Sequence, residues 1–389
     1  MKNEYIKEDM YFSKMFGRGI YQPDRRLVPD PLSPDDGTPA SPLMVHILSG
    51  ELFYIKLVND QLKNVERFQE QIMRPAPRNV ICWPSDMIEM DEALAEDTKL
   101  VVSQHYDTAE HKASSADSCR VALLFPYEEM PCVLPWDAAV KAVTSNNYFD
   151  QATEKGANWL NTSIRKFAVC LVKALQQLNE SGYWYFDFHP DRMFVSTDGD
   201  EHVYLDYSNL IYSKAELLVR QKNDITSPPA GWYPVEFAEP AYIRGNQEFF
   251  DVETQNYNLT AFLFRLFYGR YAYEGAAMSG RRDYSKESHY IWFRDYYKHP
   301  IFIFEPDNAD NGLNEENPDD TEQMLMDLWY SSPEPMREMF VATLNRENAE
   351  RKNSKGNQVV VHNPMPEDWL KLFESFGWCQ AENNERGRY

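Results

Sequence analysis

Gly182–Ile211, GYWYFDFHPDRMFVSTDGDEHVYLDYSNLI, contains two short extended runs, Arg192–Val195 and His202–Asp206, joined by Ser-Thr-Asp-Gly-Asp-Glu. Asp198-Gly199 is a strong turn signal, because glycine supplies the positive φ that a tight hairpin turn requires, so the two runs read as one hairpin. One carboxylate precedes the hairpin and another closes it. Asp187 stands among aromatic residues just before His189-Pro190, and Asp206 ends the apolar run Val203-Tyr204-Leu205. Taken alone, the stretch is compatible with a surface hairpin carrying two incidental acids. Its context argues otherwise: a long amphipathic helix feeds the first acid, and the second follows 19 residues on.

That helix is predicted over Asn161–Glu180, where Ile164, Phe167, Ala168, Leu171, Leu175 and Leu178 recur at helical spacing. Asn161 or Ser163 can cap its start, and Gly182 follows its end. Helix, acid, hairpin, acid is an order that suits phosphoryl transfer. One carboxylate orients or deprotonates the attacking hydroxyl, and a second holds the metal bridging the nucleotide phosphates.

Tyr185-Phe186-Asp187 stands where protein kinases carry His-Arg-Asp, and Asp206-Tyr207-Ser208 where they carry Asp-Phe-Gly. The chain thus resembles the protein kinase superfamily, and within it the divergent bacterial kinase-like proteins that are often found beside a helix-hairpin-helix. The resemblance runs from about residue 40 to 375. It implies an α+β, bilobal fold: an irregular extension over 1–42, a small β-rich N-lobe over 43–127, a larger helical C-lobe over 128–375 and a polar tail over 376–389. It also implies ATP and Mg²⁺ as cofactors, Asp187 as base and Asp206 as metal ligand. His189 matches a position where many kinases place a lysine near the transferred phosphate; a loop histidine bonded to backbone reads equally well. Arg192 stands where kinases carry an asparagine that is the second metal ligand.

In the first lobe, Leu43–Leu48 and Leu52–Val58 read as strands joined by a tight turn at Ser49-Gly50-Glu51. Lys56 lies inside the apolar run LFYIKLV, where burial is costly without a partner. It is either an edge-strand lysine facing water or, as the resemblance to the kinase Val-Ala-Ile-Lys strand implies, a phosphate contact. A helix is predicted from Asp60 to about Met73, with Leu62, Val65, Ile72 and Met73 on one face and Glu66 and Glu70 available to pair with Lys56. Val80–Pro84 and Arg120–Tyr127 are further apolar runs, and 91–118 is a polar, acidic insertion. The resemblance makes Phe125–Glu128 the hinge, with Phe125 and Tyr127 against the nucleotide. The stretch expected to cover the phosphates, PDPLSPDDGTPASP, has Gly37 alone among five prolines and three acids, with Asp35 and Asp36 beside the glycine. Proline has no N–H to donate, and the acids repel phosphate.

In the second lobe a polar segment is predicted from Asp206 to Pro229. Pro234-Val235-Glu236 resembles the Ala-Pro-Glu that closes the kinase activation segment, with Glu239 a competing match. Tyr257–Tyr268 is apolar nearly all round and reads as a buried helix ended by Gly269. Gln255 occupies the place of a kinase aspartate that braces the catalytic loop. His299–Asp307 needs a core to face. Met336–Leu344 and Met365–Phe373 read as the last helices, and Asn363 stands where an arginine usually pairs with the activation-segment glutamate.

Composition bounds the rest. A chain of 389 residues with 43% hydrophobic and 14% aromatic residues is long and apolar enough to fold around a sizeable core. Its net charge of −22 argues against nucleic acid as a partner, since phosphate backbones need clustered lysine and arginine. The five cysteines are scattered without CxxC spacing, which suggests reduced thiols and no zinc site. No apolar run reaches the ~18–20 residues of a membrane span. The N-terminal MKNEYIKEDM is too charged for a signal peptide, so a cytoplasmic location is expected. No internal repeat is visible.

Three functions fit these residues: a pseudokinase that binds nucleotide, an active kinase using Lys56, Asp187 and Asp206, and a kinase-like fold transferring another group. The implied partners are a nucleotide and a protein substrate or regulatory protein, with no nucleic acid and no membrane.

Overall fold

In the first of two units, Phe53 and Ile55 of the run Leu52–Val58 are both packed into the core. A computed structural model describes residues 11–15, 19–24, 43–58, 68–77, 79–81, 83–89, 121–126, 133–135, 162–188, 193–196, 203–206, 211–222, 237–244, 251–275, 296–297, 300–305, 310–313, 318–351, 355–357 and 361–379. The chain divides into one unit of residues 1–135 with 196–198 and a second of 136–195 with 199–389.

The first unit contains β1 (Tyr11–Phe12), β2 (Ile20–Asp24), β3 (Leu43–His46), β4 (Leu52–Val58), β5 (Val80–Ile81), β6 (Asp86–Glu89), β7 (Val121–Pro126) and β8 (Val133–Pro135). Six of them form one antiparallel sheet in the order β1-β2-β3-β4-β7-β6. The expected β3–β4 hairpin pairs Leu43 with Tyr54 and Val45 with Leu52. Its first strand stops at His46, so Ile47 and Leu48 are exposed in the turn. Strand β7 is buried on both faces, with Ala122 and Leu124 on one side and Leu123 and Phe125 on the other. That is the burial of a central strand.

Two strands of this sheet lie inside the lead-in expected to be irregular. Tyr11 pairs with Tyr21, and Tyr21 with His46, so 11–24 extend the sheet beyond β3. Ser13 then bridges Ile88 in β6, and Lys14 N donates to Met87 O at 2.8 Å, so the sheet curls until its two ends meet. Asp86 holds this seam from a buried position. Its Oδ1 accepts from Ser13 Oγ at 2.7 Å and its Oδ2 from the Tyr21 hydroxyl at 2.6 Å. Strand β6 was likewise not legible, because it follows Trp83-Pro84 where the expected run ended. Residues 68–72 are helical as expected, with Phe68 and Ile72 buried, but Met73 is 67% exposed and belongs to no core face.

The second unit contains α1 (Thr162–Glu180), β9 (Tyr183–Tyr185), β10 (Met193–Ser196), β11 (Val203–Asp206), β12 (Ile211–Ser213), α2 (Lys214–Lys222), α3 (Pro240–Ile243), α4 (Val252–Tyr268), α5 (Asp320–Ser331), α6 (Glu334–Leu344), α7 (Arg346–Glu350) and α8 (Pro366–Ser375). All six residues of the α1 stripe are buried. Helix α4 is buried almost all round, with α1, α5, α6 and β9 packed against it. Phe264 on α4 meets Phe302, Trp329 and Phe340, so the predicted buried helix becomes the hub of an aromatic core. Ile301, Phe302 and Ile303 supply the apolar segment that needed a core, as loop and not strand. Lys214–Lys222, within the expected polar segment, is helical. Its start is organised by Ser213 and Glu216, which exchange hydrogen bonds across the first turn. Among the described residues, no helix is long and apolar enough to cross a membrane.

Candidate functional site

Asp187 is positioned by the end of α1. Gly182, with φ of 85°, turns the chain out of the helix in a conformation that favours glycine. The chain enters β9, which pairs with β12 from Ile211↔Tyr185 to Ser213↔Tyr183. Phe186 and Phe188 are fully buried on either side of Asp187. Phe186 packs edge-on against Tyr212, and Phe188 against Tyr185 and Phe262 of α4. Two anchored rings thus hold the backbone around the acid, which is itself buried.

A polar brace completes this anchoring. Gln255, fully buried on α4, accepts the Tyr185 N–H on its Oε1 at 2.8 Å. Because the donor is a backbone N–H, the oxygen of the amide must face it. Gln255 therefore fixes the chain two residues ahead of Asp187.

Asp206 ends β11 in the expected hairpin, where Met193 pairs with Leu205 and Val195 with Val203. Strands β9 and β11 both pack on α1, so one helix supports the carriers of both acids. His189, Arg192, Glu66 and Tyr127 lie outside the described residues, as do the side chains of Asp206 and Lys56. The Lys56 backbone pairs with Leu123 in the middle of the sheet. Phe125 is fully buried on β7. Glu70 binds Arg74 one helical turn away at 2.5 Å, a surface pair.

A second anchoring point lies where three helix ends meet. Glu239 precedes α3, Asp251 caps α4, and Arg351 ends α7. Arg351 Nε donates to Glu239 Oε1 at 2.5 Å and Nη2 to Glu239 Oε2 at 3.1 Å. Nη1 also reaches Asp251 Oδ2 at 3.3 Å. The fork of a guanidinium matches a carboxylate in this two-bond fashion. Burial pushes the Glu239 carboxyl up to about 7, against the pull of Arg351. The two carboxylates in turn raise the Arg351 guanidinium above its ordinary value, against its own burial. Arg351 is the sole non-glycine residue of positive φ among those described, at 48°, so the network holds it in the left-handed region.

Asn363 is bonded to Glu253 and not to Glu239: its backbone N donates to Glu253 Oε2 at 2.6 Å and its Nδ2 to the Glu253 carbonyl at 2.9 Å. The residue that pairs with Glu239 is Arg351, which sequence reasoning missed; Pro234-Val235-Glu236 lies outside the described residues. The residues after Leu344 carry several charges and no periodic pattern, so nothing local distinguished this arginine from its neighbours.

No family model matches the sequence, and no curated protein matches it. Among solved structures, the chain is similar to a crystal structure of Rad53 1–466 in complex with AMP-PNP. That similarity is at 11% identity and a TM-score of 0.38, over 86% of this chain. The chain spans 63% of that structure's own length.

Among the described residues, no group of three histidine, cysteine or acidic side chains could hold a metal ion. Magnesium does not require one, because it keeps several waters and takes one or two carboxylates together with substrate phosphates.

Proposed function

We propose that this protein binds Mg-ATP in the manner of a protein kinase and transfers phosphate weakly or not at all, acting as a pseudokinase in signalling or regulation. The observation that carries this reading is the hydrogen bond from Tyr185 N to Gln255 Oε1. Phosphoryl transfer depends on positioning the group that orients the hydroxyl, and a buried helix that braces the adjoining backbone serves that need. Gln255 keeps the acceptor oxygen but lacks the charge of the aspartate that the resemblance expects. A charge-assisted bond is roughly twice as strong as a neutral one, so the brace keeps its geometry with less strength.

On this reading Asp187 orients the accepting hydroxyl, Asp206 holds the metal, and Lys56 meets the phosphates with Glu66 or Glu70 behind it. Phe125 and Tyr127 lie against the base, and His189 beside the transferred phosphate. Bound Mg²⁺ would neutralise charge on the nucleotide phosphates. The phosphate-covering stretch has one glycine, and Arg192 replaces a metal ligand; both weaken transfer.

A fully active transferase is the second reading. The Glu239–Arg351 pair favours it, because it anchors the end of the segment on which a protein substrate would dock. Two measurements test the proposal. Nucleotide at 100 times its dissociation constant should stabilise the fold by about 2.7 kcal/mol. The shift should be larger with Mg²⁺, and Asp206→Ala should remove only the metal-dependent part. Incubation with labelled ATP should then leave little label on wild type. An unchanged melting curve with millimolar Mg-ATP rejects nucleotide binding, and rapid Asp206-dependent labelling selects the active enzyme.

A further inference from the structure

Helix α4 touches the chain on both sides of Asp187. Gln255 accepts from Tyr185 N, two residues before the acid, and Phe262 meets Phe188, the residue after it, with ring centroids 6.2 Å apart. Gln255 and Phe262 lie about two helical turns apart, so both side chains leave one face of α4. The first contact fixes one backbone atom, whereas the second joins two rings.

The ring of Phe262 also meets Phe237 edge-on, with centroids 5.0 Å apart. Phe237 stands two residues before Glu239, whose carboxylate is held to Arg351 by two hydrogen bonds. Phe188, Phe262 and Phe237 are all buried, so they form one row of ring contacts running from beside Asp187 to beside Glu239. A protein interior is packed as densely as an organic crystal, and a ring in such a row cannot move without moving its neighbour. Arg351 reaches α4 by a second route, because it also bonds Asp251, which caps the helix. A shift along that route carries the whole helix, whereas the ring row acts on Phe188 in particular.

We propose that Phe262 is a positioning residue that couples the Glu239–Arg351 joint to Asp187 through this row of rings. A protein partner that docks on the segment ending at Glu239 thereby adjusts the setting of the acid. The coupling rests on the kinase-like reading for the role of Asp187, but the contacts themselves need neither nucleotide nor transfer. The residue type suits the task, because a phenylalanine ring is flat, rigid and able to pack edge or face against two neighbours at once. Leucine at this position keeps the site apolar but leaves space into which a displaced ring can relax.

The test uses the full chain with 4-fluorophenylalanine in place of Phe188, read by ¹⁹F NMR without nucleotide. Arg351→Lys keeps the charge of the joint but loses its two-bond fork. It should move the Phe188 signal by more than the linewidth, and Phe262→Leu or Phe237→Leu should each abolish that movement. Phe237→Leu interrupts the row from its other end, so it decides the matter if Phe262→Leu fails to fold. A second label in place of Phe373 of α8, which meets α4 through Phe267, is the control and should stay where it is under Arg351→Lys. A ring that merely fills space would lower the denaturant midpoint of Phe262→Leu and leave the Arg351→Lys shift intact. The coupling is overturned if the Phe188 signal ignores Arg351→Lys or moves as far in the leucine variants. It is also overturned if the Phe373 signal moves as much, which would mark a shift of the whole helix. None of these outcomes involves nucleotide, so the kinase-like reading stands or falls separately, on Mg-ATP binding and labelling.

Discussion

Gln255 and Tyr185, 70 residues apart in the chain, meet through one buried hydrogen bond of 2.8 Å between an amide oxygen and a backbone N–H. Gln255→Leu keeps the volume and removes the acceptor, which leaves a buried N–H unsatisfied. The expected loss is about 1–3 kcal/mol, read as a lower denaturant midpoint at constant slope. Nucleotide affinity should fall as well, because the backbone before Asp187 loses its brace. An unchanged midpoint would mean that the bond contributes nothing.

The Glu239–Arg351 pair gives a larger effect. Glu239→Leu leaves a guanidinium buried with, among the described residues, the partly exposed Asp251 as its remaining ion-pair partner, and arginine cannot shed its proton. Removing one partner of such a pair costs about 3–5 kcal/mol. The double variant Glu239→Leu, Arg351→Leu should recover part of that loss, and additive losses would show that the two residues are not coupled. The pair also makes stability depend on pH. Burial holds the Glu239 carboxyl at about 7, above its ordinary 4.5, so the folded protein binds this proton more tightly than the unfolded chain. Its contribution is complete below 4.5 and is lost as pH rises through 7. Wild type minus Glu239→Gln should therefore decline in stability across that window, and a flat difference would contradict the shift.

Asp86 and the Tyr21 hydroxyl close the first sheet on itself at 2.6 Å. Tyr21→Phe removes one hydrogen bond to a buried carboxylate and little apolar contact. It should cost about 1.5–3 kcal/mol, measured by thermal or denaturant unfolding. A loss below that range would shift the weight of the seam to Ser13.

How much of this was legible depends on the kind of signal. The β10–β11 hairpin and helices α1 and α4 announce themselves through Asp198-Gly199, the buried stripe of α1 and the all-round apolarity of α4. Each of these is a local pattern of turn or period. The seam is not local. Residues 20–24, Ile-Tyr-Gln-Pro-Asp, are a polar strand interrupted by proline, and the buried Tyr21 finds its partner in Asp86, 65 residues away. Arg351 was hidden for the same reason: what singles it out is Glu239, which lies 112 residues earlier. Gln255 lay between these cases. Its position was marked by resemblance, and its amide oxygen replaced the expected carboxylate without changing the atom that accepts.

Arg192 separates the two functional readings. The asparagine that kinases carry there offers an amide oxygen to the metal and braces the catalytic aspartate. Arginine has five N–H donors and no acceptor, so it cannot ligate magnesium. It lies a few residues from Asp187, and a salt bridge to Asp187 or Asp206 would occupy oxygens that the metal or substrate needs. Weak or absent transfer is therefore expected in wild type, with Arg192→Asn raising the metal-dependent part of nucleotide affinity in calorimetric titrations. The single glycine of the phosphate-covering stretch should keep turnover low even then. The contrary result is distinct. If wild type transfers phosphate efficiently and Arg192→Ala slows it at least tenfold, about 1.4 kcal/mol of transition-state stabilisation, the guanidinium is acting on the phosphates as a cation in place of a second metal. The protein would then be an active transferase.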